Sequence, residues 1–338
     1  MDAGIATAVV TLLFSGDVTL GFHYEEYVEE QIAKGKPRDA MLGWGFDRVR
    51  GLTTKADVFV VNLECPFTSR GEKVPKNFNF RASPALVAAL ESGGVDVVSL
   101  ANNHLMDYGE VGLADTLSTL DAAKIVHFGA GRSLAAAREP AVITVKGTRF
   151  AFLGYFFLGD RNIEPPAVIA TEKTPGVAGH HNDLELMKKW LVEDIGAARA
   201  RADVVIPFFH WGREGKTQPE AYQVELAHLA IDSGAAAVIG SHPHVLQGME
   251  TYKGAPIAYS LGNFVFGGNW NPGDKRTALL ELRFRGASFA GQKIYPAFSD
   301  RYPEVPVQPY FAEGDAGVAV LEHIEKISKP LRTGAAAK

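Results

Sequence analysis

Residues 204–212 read VVIPFFHWG, an apolar run that ends at a histidine, a tryptophan and a glycine. The run is β-branched, aromatic and free of charge, which predicts a buried strand over residues 204–209. His210 then lies at the end of that strand, and the active sites of α/β sheets gather at this edge. The stretch therefore predicts an α/β fold with a candidate functional residue at the edge of a sheet.

The chain repeats this arrangement directly afterwards. An amphipathic helix is predicted over residues 223–233, and it precedes a short apolar strand and the turn GSHPH at residues 240–244. In an extended turn, His242 and His244 point to the same side, where both imidazoles could face one or two metal ions. A lone histidine is more often a hydrogen-bonded residue than a metal ligand, and His228 inside the helix is interpreted in that way. The other histidines need partners from elsewhere in the chain.

Three further strands, predicted within residues 6–100, end at side chains of the metal-ligand type. The first delivers Asp17 into a glycine-containing turn, the second ends at Glu64, and the third leads into Asn103 and His104. Divalent cations take this mixture of oxygen and imidazole ligands, and two neighbouring cations need a shared carboxylate. Chance could place one polar residue at a strand end, but five such ends favour a metal site.

Composition narrows the class of protein. The chain has 338 residues, of which 46% are hydrophobic, and this is enough to bury a large core. The net charge is -5 and no basic run occurs, so no nucleic-acid-binding face is expected. The single cysteine, Cys65, excludes an intrachain disulfide and a cysteine-based zinc finger.

The N-terminal apolar run over residues 5–14 is too short to span a bilayer and has no basic segment ahead of it. It is therefore interpreted as a strand, and no transmembrane segment is expected in this chain. A protein whose export signal or anchor was removed would have the same sequence. The chain as given is expected to be soluble, and both a cytoplasmic and an exported or cell-envelope location stay open.

Two segments lack the periodicity of a helix or a strand. Residues 69–81 are polar and contain glycine and proline, and residues 156–181 also contain several prolines and glycines. The first is predicted to be a loop or a hairpin, and a loop as long as the second is usually a functional lid or disordered in a compact domain. Both segments are expected to shape a pocket.

The C-terminal part predicts an extended wrap over the proline-rich residues 293–309, then a last helix stopped by Pro330. Residues 333–338 are expected to be frayed. Since no linker or repeat divides the chain, residues 1–310 are predicted to form one domain, and residues 311–338 a C-terminal helix and tail.

Together these motifs resemble the poly-γ-glutamate capsule-synthesis proteins (CapA/PgsA-like), a family of the calcineurin-like metallophosphoesterase superfamily. The matching stretches are SGD (15–17) with Gly21, NLE (62–64), ANNH (101–104) with DYG (107–109), HWG (210–212), GSHPH (240–244) and SLGNF (260–264). They occur in the family's order over about three quarters of the chain. The resemblance implies a metallophosphoesterase-like sandwich of two mixed β-sheets flanked by helices, with a two-metal site at its edge.

The resemblance also implies six metal ligands: Asp17, Glu64, Asn103, His210, His242 and His244. Asp17 and His244 would bind the first ion, Glu64 would bridge both ions, and the other three would bind the second. The bridging position is an aspartate in ordinary metallophosphoesterases. Mn, Fe, Zn and Mg all suit such a mixture of ligands, so the metal stays undetermined.

Among the remaining motif residues, the resemblance assigns His104 as the general acid that protonates the leaving oxygen. The superfamily has a histidine two residues after its first aspartate, but Thr19 stands there, and His23 is the nearest alternative ligand. Three residues are candidates for contacting substrate or orienting ligands: Arg81, Asn62 and Asn263.

Two functions from different classes follow. The first is a metal-dependent hydrolase with a binuclear centre, which uses metal-activated water on a small phosphoester or on a γ-glutamyl polymer. The second is an accessory protein of poly-γ-glutamate capsule synthesis or export, with the capsule machinery as its partner, in which the metal site only binds or stabilises. A metal-free binding domain is a third interpretation, and the oligomeric state stays open.

Overall fold

The computed structural model describes residues 8–304 and 306–332. In chain order its strands are β1 Val9–Thr19, β2 Val58–Leu63, β3 Val97–Ser99, β4 Val126–Phe128, β5 Ala130–Gly131, β6 Ala141–Val145, β7 Thr148–Phe157, β8 Gly176–Val177, β9 Val204–Trp211, β10 Val238–Ser241, β11 Met249–Tyr252, β12 Ala255–Ala258, β13 Asn263–Phe266, β14 Arg276–Arg285, β15 Ser288–Phe298 and β16 Tyr310–Phe311. Its α-helices are α1 His23–Ala33, α2 Arg38–Leu42, α3 Arg50–Thr53, α4 Val87–Gly93, α5 Gly109–Ala122, α6 Leu134–Arg138, α7 Leu184–Arg199, α8 Ala221–Asp232 and α9 Gly314–Arg332. Short 3-10 helices occur at Trp44–Phe46, Pro84–Leu86, Gly159–Arg161 and Pro166–Val168.

Two mixed sheets form the body of the fold. The first has the order β16-β15-β14-β1-β2-β3-β4, and β13 pairs with β1. Strands β1 to β4 run parallel, whereas β14, β15 and β16 join antiparallel. The second has the order β11-β12-β10-β9-β7-β6, with a parallel centre and an antiparallel strand at each edge.

The sheets pack face to face, and helices cover their outer faces. Alternate side chains of one strand go to different layers, as the two-residue period of a strand requires. On β9, Ile206 and Phe208 pack against Leu12 and Phe14 of the first sheet, whereas Phe209 packs against α7 and α8. The outer face of the first sheet packs against α1, α4 and α5. This four-layer arrangement confirms the predicted α/β sandwich of two mixed sheets flanked by helices.

Two motif glycines let backbones approach near the end of the strands. A Cβ on Gly16 would lie 1.7 Å from the carbonyl oxygen of Gly262, and one on Gly240 would lie 2.1 Å from that of Tyr259. Only glycine fits such contacts. They bring β1 beside β13 and β10 beside the end of β12, and so they gather the motif residues at one edge.

The C-terminal part differs from its sequence prediction. Residues 293–298 belong to the long hairpin strand β15, and Pro296 lies inside that strand, so the extended wrap is wrong there. The last helix, α9, continues to Arg332 and includes Pro330, which does not stop it. Its residues Val320 and Ile324 pack into the core between the sheets. The division at residue 310 stays a prediction, and residues 333–338 lie outside the described residues.

Candidate metal centre

Asp17 lies inside β1, not in the turn that the sequence predicts. A register irregularity after Phe14 lets β1 continue to Thr19, and Asp17 pairs with Asn62 on one side and Asn263 on the other. The Asp17 side chain is fully buried as a result. Strand pairing therefore fixes the position of this carboxylate more firmly than a turn would.

His242 and His244 also adopt a different conformation from the predicted one. Their φ angles are 97° and 57°, so the turn is not extended, and both residues are in the left-handed region that side chains rarely occupy. Their ring centroids lie 5.8 Å apart. Such strain is found at functional sites, where surrounding contacts hold it in place.

One group of potential ligands consists of Asp17, Glu64 and His244, whose ligand atoms lie within 4.8 Å of one another. His244 Nδ1 is 3.3 Å from Asp17 Oδ2, and its Nε2 is 3.9 Å from Glu64 Oε1. This group brings together the residues that the family resemblance assigns to the first ion and the bridge.

A second group consists of Glu64, His210 and His242. His210 Nε2 is 3.0 Å from His242 Nδ1 and 3.6 Å from Glu64 Oε1. The same nitrogen is 2.8 Å from Asn103 Oδ1. The two groups share Glu64, so the structure brings all six predicted ligands together at one edge of the sandwich.

Glu64 provides the test of whether these residues fit a metal. Its carboxylate is fully buried, and neither oxygen has a hydrogen-bond partner. An unpartnered buried carboxylate is costly, and buried charges are normally paired or bound to a metal. Burial raises the pKa of Glu64 well above its usual range, the Asp17 carboxylate adds to this, and His244 opposes it. Neither Glu64 oxygen is engaged in a hydrogen bond, so both can bind a cation once this carboxyl has lost its proton, and the residues fit one.

The histidines differ in their charge in the metal-free chain. Burial lowers the pKa of His210 and of His242 well below the usual range, and the neighbouring imidazoles add to the effect. Burial alone would also lower the pKa of His244, but the carboxylates of Glu64 and Asp17 raise it to about 10. Near neutral pH, therefore, His244 holds a proton that a metal has to displace.

This proton makes metal binding dependent on pH. His244 stays protonated in the metal-free protein until pH approaches about 10, whereas His210 and His242 are already neutral. Apparent Mn²⁺ affinity should rise with pH, by about tenfold per unit for each proton released. Calorimetry at about pH 7 and about pH 9, in buffers of different ionisation enthalpy, measures both the affinity and the released protons. His244→Gln should release one proton fewer, and a pH-independent affinity would contradict the assignment.

His104 lies beside the ligands in a polar pair with Asp107. Its Nδ1 is 2.7 Å from Asp107 Oδ2, and its ring stacks on Phe80 with centroids 4.1 Å apart. Because Asp107 holds Nδ1, Nε2 is the nitrogen left to serve a substrate. Burial lowers the pKa of His104, and Asp107 opposes that effect.

The secondary candidates divide into two groups. Asn62 Nδ2 donates to Asp17 Oδ1 at 2.8 Å and Asn263 Oδ1 lies 2.9 Å from His244 Nδ1, so both asparagines touch potential ligands. Arg81 is exposed and lies over the Tyr108 ring at 4.5 Å. The His23 ring stacks on Trp270, and its Nδ1 lies 2.8 Å from Glu26 Oε2. His23 belongs to neither ligand group.

Three charged residues near the site were not predicted from the sequence. The ligand atoms of Glu214, His242 and His244 lie within 4.8 Å of one another. Glu214 follows His210 by four residues, and this closeness in sequence could have identified it as a candidate. Lys76 and Glu164 meet beside Asn103, at 2.8 Å from each other. They come from the two aperiodic segments, which carry no pattern that could have identified them.

Two cavities open onto the ligands. One of about 550 Å³ is lined by His104, His244 and Asn263, with Phe78 and Phe80 among its walls. The other, of about 290 Å³, has Asn103 and His242 in its lining.

The cavity walls include both aperiodic segments, since Phe78 comes from residues 69–81 and Glu164 from residues 156–181. A larger cavity of about 650 Å³ lies elsewhere, and none of the candidate ligands lines it.

Comparison with known proteins supports the resemblance. The family described as "Bacterial capsule synthesis protein PGA_cap" matches residues 11–268. "Capsule biosynthesis protein CapA" of Bacillus anthracis is 31% identical over 294 residues, which cover 85% of this chain and 67% of that protein. "PGA biosynthesis protein CapA" of Bacillus subtilis (strain 168) is 32% identical over 265 residues, covering 78% and 64%. The chain thus spans about two thirds of these relatives.

A relative from Mycobacterium tuberculosis is named as an accessory protein. "Probable polyglutamine synthesis accessory protein Rv0574c" of Mycobacterium tuberculosis (strain ATCC 25618 / H37Rv) is 30% identical over 295 residues, covering 76% of this chain and 74% of that protein. Among solved structures, TT1561 of Thermus thermophilus aligns with 85% of this chain and 99% of its own, at 10% identity and a TM-score of 0.39. The family match and the relatives at 30% identity or more show that the chain belongs to the bacterial capsule synthesis protein family PGA_cap.

Proposed function

We propose that the protein is a metal-dependent hydrolase with a binuclear centre, in which Glu64 would be the ligand shared by the two ions. The observation that carries the proposal is the position of Glu64, shared by two ligand groups, with neither of its buried oxygens in a hydrogen bond. Asp17 and His244 would complete the ligands of one ion, and Asn103, His210 and His242 would complete those of the other. The donor set of carboxylate, amide and imidazole suits Mn, Fe, Zn or Mg.

Two bound cations would supply Lewis acidity and lower the pKa of a bound water until it is a nucleophile near neutral pH. The chain's own residues orient this chemistry. Asn62 holds Asp17 Oδ1 at 2.8 Å and lies 3.2 Å from His210 Nδ1, so one amide fixes a ligand from each group. Loss of such an orienting contact typically lowers metal affinity by a factor of about 10 to 100.

His104 is proposed as the general acid. It lines the larger cavity beside the ligands, and Asp107 fixes its ring so that Nε2 is available to a leaving oxygen. A proton held there would pass to the leaving group as its bond to the substrate breaks. The substrate is proposed to be a small phosphoester or a γ-glutamyl polymer, the two classes that the superfamily and the family suggest, and it would reach the ligands through this cavity.

An accessory function in poly-γ-glutamate synthesis is the second candidate. The name of the Mycobacterium relative, an accessory protein of polyglutamine synthesis, favours an accessory role, and so does Thr19. Thr19 occupies the place of a histidine in the related superfamily, and its hydroxyl donates to the backbone oxygen of Glu64 at 3.1 Å. In this role the metal site would stabilise the protein or bind a polymer, and the capsule machinery would be its partner. Among the described residues, no helix is long and apolar enough to cross a membrane.

The test is elemental analysis of protein purified without chelator, beside hydrolysis assays with added Mn²⁺. A generic phosphodiester and poly-γ-glutamate serve as the two substrates. About two metal ions per chain with turnover of either substrate supports the hydrolase and identifies the bond. Metal without turnover supports the accessory function, and no metal uptake rules out the binuclear centre.

A further inference from the structure

The side chain of Lys76 carries an ammonium group that is buried beside the candidate metal centre. This side chain is 8% exposed, and Nζ lies 2.7 Å from Asp107 Oδ1 and 2.8 Å from Glu164 Oε2. Nζ also donates to the backbone oxygen of Asn103 at 2.8 Å. A buried lysine is tolerated only when such partners replace water. Three separate segments of the chain therefore meet at this one nitrogen.

Glu164 connects this lysine to a candidate metal ligand. Its Oε2 faces Lys76, while its Oε1 accepts from the side-chain Nδ2 of Asn103 at 3.0 Å. An ionised carboxylate only accepts hydrogen bonds, so the NH₂ side of the Asn103 amide has to face it. The amide oxygen is then turned to the opposite side, where it lies 2.8 Å from His210 Nε2. A metal ion binds an amide through its oxygen, so this orientation is the productive one.

We propose that Lys76 and Glu164 are positioning residues, which hold the Asn103 amide with its oxygen toward the second metal position. Lys76 places Glu164, and Glu164 selects the rotamer of Asn103. The consequence for metal binding rests on the proposed binuclear function, whereas the orientation of Asn103 does not.

The same lysine also reaches the proposed general acid through Asp107. Asp107 Oδ1 forms an ion pair with Lys76 Nζ at 2.7 Å, and Asp107 Oδ2 lies 2.7 Å from His104 Nδ1, so the lysine contacts the residue that holds His104. Asn103 and His104 are adjacent in the chain. Lys76 and Glu164 therefore support both of these residues.

The experiment compares Glu164→Leu, Lys76→Met and Glu164→Gln with a matched control. Lys146→Met is the control because Lys146 also donates to a carboxylate and a backbone carbonyl, those of Asp57 and Val9, away from the ligand groups. Glu164→Gln keeps the shape of the side chain and an oxygen that can accept from Asn103. It therefore serves as the conservative variant if Lys76→Met fails to fold.

The first measurement uses chelator-treated protein. The Asn103 side-chain NH₂ protons are followed by NMR exchange with water. Exchange should be slow in the wild type and in Lys146→Met, and about tenfold faster or more in Glu164→Leu and Lys76→Met. Glu164→Gln should retain most of the protection. Unchanged exchange in both Glu164→Leu and Lys76→Met would overturn the proposal.

The second measurement is Mn²⁺ binding by calorimetry. Glu164→Leu should weaken one of two binding events by about 10 to 100-fold and leave the other within about twofold. Asn103→Ala should lose the same event, and the double variant should be no worse, because both changes act through one amide. Additive losses would overturn the proposal. If wild-type protein takes up no Mn²⁺, the binuclear function fails, and the exchange measurement still decides whether Lys76 and Glu164 position Asn103.

Discussion

Replacing Glu64 by glutamine should remove the binding of both metal ions while the protein stays folded. Glu64 belongs to both ligand groups, and a neutral amide cannot supply the shared charge that two neighbouring cations need. Residues that only orient a ligand cost about 10 to 100-fold in metal affinity, so loss of this ligand should cost about 100-fold or more. Elemental analysis and Mn²⁺ calorimetry measure the loss.

Thermal unfolding separates loss of metal from loss of fold. The metal-free Glu64→Gln protein should be at least as stable as the metal-free wild type, because an amide costs less to bury than a carboxylate. Added Mn²⁺ should raise the melting temperature of the wild type but not of the variant. Glu250→Gln is the matched control, since Glu250 accepts from Tyr259 at 2.6 Å away from the ligand groups.

Asp17→Ala and His242→Ala should also lower metal content, because each removes one ligand of one group. Unaltered metal content in these two variants and in Glu64→Gln would contradict the assignment of the site.

Replacing His104 by alanine should have the opposite combination of effects. Metal content should stay at the wild-type level, because His104 belongs to neither ligand group. Turnover of the substrate identified with wild-type protein should fall by about 10² to 10⁴-fold, the usual contribution of a general acid. The loss should be largest for substrates with a basic leaving group, which need the proton most. Steady-state rates with leaving groups of different pKa measure this dependence.

Two variants control that experiment. His228→Ala removes a histidine that lies 2.8 Å from Glu250 and should leave turnover unchanged. Asp107→Asn keeps the shape of the partner of His104 but removes its charge, and should lower turnover less than His104→Ala does. If His104→Ala keeps full turnover with every leaving group, His104 is not the general acid.

The candidate ligands that the structure brings together share one property. His210 and Glu64 each come at the end of an apolar strand, where residue type and position are both readable from the local pattern. Parallel neighbours then bring those ends together: β1 pairs with β2, and β9 with β10. Periodicity therefore predicts which side chains stand at strand ends. The assignment of six of them as ligands of two ions came from the family resemblance, and the strand order that gathers them came from the structure.

The failures arose where long-range contacts override the local pattern. Asp17 stays in a strand because Asn62 and Asn263 pair with it from both sides, although Gly16 suggests a turn. Pro296 suggests an extended coil, but it lies in a strand paired with β14. Lys76 and Glu164 come together from segments 88 residues apart in the chain. No local rule predicts contacts of this kind.

Strands and loops contribute different parts of the candidate site, and this difference has an evolutionary consequence. The candidate ligands Asp17 and His210 lie on strands and Glu64 directly follows one, so the core holds them in place, whereas cavity walls such as Phe78 come from loops. Loops tolerate substitution, insertion and deletion far better than the strands they connect. Members of the family can therefore come to differ in their cavity walls while the candidate ligands beneath those walls stay in place.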